Sequence, residues 1–237
     1  MPGTPSIRAV TERIESLNRA RGECAKHLSA GNIHALRVAA RRLQAALSIF
    51  RRRIGGRRVK EIRRALKPVM KAAGSVRNCD IAARFAREAG LGRLHRVRAD
   101  IARARRRAAA ELKRTILALP PIDNPPLRPG PARTLDEFYA RFQQAGETAN
   151  RKPTGSKLHA LRIEGKRLRY ALEILAPNDS LLERLRELQT VLGDLNDCVT
   201  VRKLFPCATL KPILDAGSRK ARSKFQRIWP QFESIAK

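Results

Sequence analysis

The stretch IHALRVAARRLQAALSIF, Ile33 to Phe50, returns as LHALRIEGKRLRYALEIL, Leu158 to Leu175, and this recurrence decides the architecture. Nine of the eighteen positions are identical without a gap: His, Ala, Leu, Arg, Arg, Leu, Ala, Leu and Ile. A second block, IRRALKPVMKAAGSVRNC, aligns with LLERLRELQTVLGDLNDC, pairing Leu66 with Leu185, Gly74 with Gly193 and Cys79 with Cys198. Two matched blocks in the same order mean a duplicated helical unit.

On a helix turning ~100° per residue, Leu36, Ala40, Leu43, Leu47 and Phe50 form one apolar side, wide enough for a core face. His34, Arg37, Arg41 and Gln44 lie opposite, within roughly 80° of arc. In the second block His159, Arg162, Lys166 and Arg169 occupy the same arc, opposite Leu161, Leu168, Leu172 and Leu175. A basic stripe opposite an apolar one is ordinarily a solvated face, on which Lys, Gln, Glu and Arg interchange freely. Here the order His-x-x-Arg-x-x-x-(Arg/Lys) is kept in both halves, which favours a binding role. Downstream, Lys60, Arg64, Lys67 and Lys71 form a second cationic row with no carboxylate inside it, a repulsive arrangement in the absence of an anion. Its counterparts are Asp179, Glu183, Arg186 and Thr190, so only the Lys67/Arg186 pair is shared and the first half is expected to grip harder.

Composition agrees. The chain has 237 residues, with 51 Lys+Arg against 21 Asp+Glu, a formal net charge of +30. Residues 1 to 119 hold 30 of the cations and 8 of the anions (+22), and residues 120 to 237 hold 21 and 13 (+8). Such an excess repels itself unless a polyanion or counterions neutralise it. Hydrophobic residues make up 43%, mostly Ala and Leu, which separates this chain from a disordered basic tail.

Strand signals are nearly absent and the class read from periodicity is all-α. Helices are expected at about Pro5–Ser29, Ile33–Arg53, Arg57–Ala73, Asn78–Ala89 and Leu91–Leu119, with Gly31-Asn32, Gly55-Gly56, Gly74 and Gly90 as stops and a kink at Pro68. PPIDNPPLRPGP, with six prolines in twelve residues, reads as a linker over 120–132 between repeats at 1–119 and 133–237. Helices resume at about Thr134–Asn150, Ser156–Leu175, Leu181–Leu192, Asp197–Phe205 and Leu210–Ile235. Cys24, Cys79, Cys198 and Cys207 fit neither a zinc site nor a disulfide framework and read as small buried thiols. The N-terminus carries no apolar leader and no apolar run approaches the ~20 residues of a membrane span, which points to the cytoplasm.

With these blocks, the sequence resembles the CHAD family, the conserved histidine α-helical domain, whose repeats read approximately H-x-x-R-(V/I)-x-x-(R/K)-R-L-R. The L-G-D-L-N-D of Leu192 to Asp197 is similar to the family's second signature, and Gly74 to Asn78 is a weaker counterpart with Asn78 where Asp is usual. The segment Phe225 to Phe232, with Trp229, resembles the family's C-terminal helix. The resemblance implies two four-helix bundles related by pseudo-twofold symmetry, a basic central cavity, binding of inorganic polyphosphate and association with polyphosphate granules. Carried over residue by residue, the ligand-facing groups are His34, Arg37, Arg41, His159, Arg162 and Lys166. The flanking cations Arg42, Arg64, Lys67, Lys71, Arg167, Arg169 and Arg186 complete the candidate set. The E-x-E-x-K metal site of the CYTH triphosphatase domain fused to some relatives has no counterpart, since the chain contains no E-x-E. No cofactor is expected.

Two rival functions remain open from sequence. A pI near 11.6 with basic helices is also the electrostatic footprint of a nucleic-acid binder, although aromatics are only 4% of the chain and supply few stacking platforms. An enzyme would recruit Asp194 and Asp197 as metal ligands, or His34 or His159 as a general base. Asp194 or Asp197 reads more simply as a helix cap or the partner of an Arg, and no nucleophile or P-loop motif is present.

Overall fold

Apolar stripes at helical spacing build the long elements, two of which open on a hydroxyl cap. The computed structural model describes residues 5–88, 90, 95–206, 208 and 210–233, and among them the only regular secondary structure is helical. The chain divides into two units, Met1–Arg133 and Thr134–Lys237.

The first unit contains α1 (Pro5–Lys26), α2 (Ala30–Ile49), the single-turn α3 (Arg51–Ile54), α4 (Gly56–Glu88) and α5 (His95–Ala118). The four long helices close a ring of contacts: α1 on α2, α2 on α4, α4 on α5, and α5 back on α1. Leu36, Ala40, Leu43, Leu47 and Phe50 are all buried, as their spacing predicts. The Ser29 side chain accepts from the Asn32 N–H at 3.0 Å and caps α2. Gly55, at φ +91°, ends α3 in a conformation that L side chains rarely adopt.

The second unit also has four long helices, α6 (Leu135–Arg151), α7 (Gly155–Leu175), α8 (Leu181–Leu204) and α9 (Lys211–Ile228), each packed on the next, and the short α10 (Pro230–Glu233). Thr154 caps α7 through the Lys157 N–H at 3.4 Å, the counterpart of Ser29. Its core is more aromatic. Phe142, Phe225, Trp229 and Phe232 pack ring on ring at centroid separations of 5.6 to 6.0 Å, and Trp229 lies so close to α6 that a Cβ on Gly146 would fall 1.6 Å from its ring. Leu175, placed on the apolar stripe by periodicity, is 36% exposed at the end of α7.

Three expected helix breaks do not occur. α2 begins at Ala30 and runs through Gly31 and Asn32, α4 continues through Pro68 and Gly74, and α8 through Gly193. A mid-helix glycine costs only about 1 kcal/mol, and burial of Leu66, Val69, Ala73, Val76 and Cys79 on α4, or Leu188, Leu192, Leu195 and Cys198 on α8, outweighs it. Pro230 does begin a new short helix, splitting the single helix expected over Leu210–Ile235. The expected starts and ends at Ala89, Leu91 and Ile235 lie outside the described residues.

The proline-rich segment, expected as a plain linker, is strapped to the first unit. Asn18 donates through Nδ2 to the Ile122 carbonyl and accepts from the Ile122 N–H, both at 3.0 Å, and Arg21 donates to the Leu119 carbonyl at 2.8 Å. Farther on, the Arg128 and Arg133 N–H groups donate to the Arg53 and Ile49 carbonyls.

Cys24, Cys79 and Cys198 are free and buried; Cys207 lies outside the described residues. Burial pushes the Cys24 thiol up to about 11, which makes it inert as a nucleophile. Among the described residues, no helix is long and apolar enough to cross a membrane.

Candidate functional site

In each unit the His-x-x-Arg helix packs against the helix that carries the glycine signature: α2 against α4, and α7 against α8. The apolar stripes face inward, so the opposite arcs with their histidines and cations remain accessible.

In the first unit, His34 is exposed while Arg37, Arg41 and Arg42 are half-buried on α2. The Arg37 guanidinium rests on α4 at Gly74: a Cβ built on that glycine would sit 3.2 Å from Nη1. Gly74 thus keeps the helix surface low enough for an arginine to lie across it. Three residues on, the half-buried Arg77 of α4 lies close enough to His34 for its charge to act on the ring. Partial desolvation of the His34 ring, then the positive charges of Arg77, Arg37 and Arg41, hold that imidazole below the usual value of 6.5. Neither Arg41 nor Arg77 makes a side-chain hydrogen bond or ion pair among the described residues. The row Lys60, Arg64, Lys67 and Lys71 is fully on the outside of α4, and Lys71 stands near Glu111 of α5.

The second unit differs in detail. His159 is exposed, and its Nδ1 is 3.2 Å from Asn196 Oδ1 on α8. Arg162 and Lys166 are half-buried. Gly193, the counterpart of Gly74, has nothing within 4 Å of a built Cβ, so no arginine rests on it as Arg37 rests on Gly74. Arg167 pairs with Glu164 on its own helix. Arg169 donates from Nε to Gln189 at 2.9 Å, pairs with Glu173, and stacks 4.4 Å over the Tyr170 ring, while Gln189 in turn donates to the Gly165 carbonyl at 3.1 Å. Those contacts tie α7 to α8 and hold Arg169 in place. Arg186 is exposed on α8.

Arg77 and Asn196 are the residues the sequence reading overlooked. They occupy the same position of the second matched block, one before Asn78 and Asp197, and differ in charge. The signal was present in the block alignment, but only the packing of α4 on α2 reveals that this position faces the histidine. Asp194 and Asp197 are not helix caps, because both lie inside the continuous α8, whose start is held by Asp179 accepting from the Leu181 N–H at 2.8 Å. Among the described residues no group of three or more His, Cys, Asp or Glu side chains is placed to hold a metal ion.

The family model described as the CHAD domain matches residues 8–206. The chain belongs to the CHAD family. Two solved structures share its fold. PptA from Streptomyces chartreusis superposes with a TM-score of 0.70 at 16% identity, over 95% of this chain and 98% of that one. The CHAD domain from the plant Ricinus communis gives 0.62 at 17% identity, over 97% and 90%. No curated protein sequence matches. The weak identity alongside near-complete coverage fits a CHAD fold carried by helix packing, with few side chains held in common.

Proposed function

We propose that this CHAD protein binds inorganic polyphosphate, without altering it, through the cationic faces of its α2/α4 and α7/α8 helix pairs. The observation that carries this reading is the cluster of Arg37, Arg41 and Arg77 around His34, in which Arg41 and Arg77 have no carboxylate partner among the described residues. Polyphosphate carries about one negative charge per phosphate. Arg meets its oxygens bidentately, and Lys acts as a point charge. The exposed row on α4 extends the cluster with replaceable contacts. In the cell the same chemistry would bring the protein to polyphosphate granules.

Titration with long-chain polyphosphate at low and moderate ionic strength tests the proposal. Binding should weaken by orders of magnitude with added salt, because many Lys and Arg contacts release counterions together. A flat salt response, or equal displacement by a nucleic acid of the same charge, would overturn it. Incubation with polyphosphate and Mg²⁺ should release no phosphate. A fluorescently tagged protein should collect on granules and become diffuse in cells that lack polyphosphate.

A further inference from the structure

The two ends of a polyphosphate chain differ chemically from its middle. An internal phosphate has two non-bridging oxygens and a single charge. A terminal phosphate resembles a phosphomonoester, with three acceptor oxygens and a second ionisation near pH ~6, so at neutral pH it carries a charge of roughly −1.5 to −2.

The α2/α4 site suits the end. α2 packs on α4, the Arg37 guanidinium of α2 lies across α4 at Gly74, and Arg41 and Arg77 add their charges beside the same imidazole, so guanidinium donors come from both helices of the pair. Half-burial of Arg37, Arg41 and Arg77 limits solvent screening, which makes the second negative charge count for more than it would on an open surface. Along α4, Lys60, Arg64, Lys67 and Lys71 make a row about 16 Å long that leads to Gly74, where Arg37 lies. A linear polyanion on that row would run into the cluster at one end. The α7/α8 site has neither property: Lys166 replaces Arg41, the neutral Asn196 replaces Arg77 and already engages the histidine, and Glu183 and Thr190 interrupt the row.

Building on the polyphosphate-binding reading, we infer that His34, Arg37, Arg41 and Arg77 form a receptor for the terminal phosphate of a polyphosphate chain, whose following phosphates lie along α4.

The test compares polyphosphate of one defined length with free ends and with both ends capped as alkyl esters, which turns one non-bridging oxygen of each end into an ester oxygen, removes the second ionisation there and leaves the interior unchanged. Wild-type protein should bind the free-ended chain about tenfold more tightly, the scale of one lost charge-assisted hydrogen bond. Arg77→Asn and Arg41→Gln should each bring the two chains to within about twofold while both still bind. Lys166→Gln, in the other unit, should weaken both chains equally and keep their ratio, with circular dichroism verifying helicity in every variant. Equal wild-type affinity for both chains, or a ratio unchanged in Arg77→Asn, would overturn the end-receptor and leave polyphosphate binding standing. Failure of wild-type protein to bind either chain would overturn both.

Discussion

The α2/α4 and α7/α8 helix pairs carry the same His-x-x-Arg pattern, yet they present different electrostatic environments. The contrast comes from the partner helix. Arg77 faces His34 and leaves it among three positive charges, whereas Asn196 faces His159 and hydrogen-bonds to it. The glycines beneath diverge in the same way, Gly74 supporting Arg37 and Gly193 supporting nothing. A recurring motif on one helix therefore does not define a recurring site: the residue opposite it decides whether the histidine sits beside another cation or against a side-chain amide.

The greatest expected effect separates the cores of the two units. Gly146→Ala places a methyl inside the Trp229 ring, so the second unit must repack around Phe142, Phe225 and Phe232. A loss of about 3 kcal/mol or more is expected, at or above the usual range for overpacking, and chemical denaturation followed by Trp229 fluorescence measures it. No glycine of the first unit has so close a neighbour among those described, and a variant of wild-type stability would show that the aromatic cluster has room to spare.

Next in size is an attempt to erase the difference between the sites. Asn196→Arg gives the second unit the charge that Arg77 gives the first, and should tighten polyphosphate binding severalfold at low salt while steepening the log–log salt dependence by about one. A titration series in which the slope stays fixed would mean that this position does not reach the ligand.

A finer comparison uses the paired glycines. Gly193→Ala adds a methyl in open space and removes a flexible mid-helix residue, so stability should rise by about 0.5–1 kcal/mol with affinity unchanged. Gly74→Ala gains the same propensity but crowds the Arg37 guanidinium and shifts it by a few tenths of an ångström, so stability should change little while affinity falls by up to about twofold. Equal affinity in the two variants would remove Gly74 as a positioning residue.

The smallest effect is in pH. Because the folded protein holds His34 below 6.5, the unfolded chain binds more protons near and below that pH, and stability should decline as pH falls through the window. His34→Gln should flatten that part of the profile. His159→Gln instead removes the hydrogen bond to Asn196, a loss present at pH 8 as well as at pH 6. Thermal melts across the range distinguish the two, and an unchanged profile in His34→Gln would assign the dependence elsewhere.

Much of the architecture is legible in the residues alone. Period-3.6 stripes such as Leu36, Ala40, Leu43 and Leu47 specify buried helix faces because burial is a property of one helix against any apolar neighbour. The same logic placed His34, Arg37 and Arg41 on one accessible arc. Local signals failed where tertiary packing opposed them: Gly74 read as a stop and Gly193 fell between two expected helices, but the Leu, Val and Cys residues on either side are buried along one continuous face. The proline run read as a linker because its composition forbids helix, while its attachment to Asn18, Arg53 and Ile49 depends on partners distant in sequence. The sequence by itself thus determined an all-helical chain with two cationic His-Arg rows, since charge and periodicity are written residue by residue. Only the tertiary structure decided that Arg77 joins the first row and Asn196 the second, because a contact between helices depends on which faces their cores turn toward each other, and that no single helix can specify.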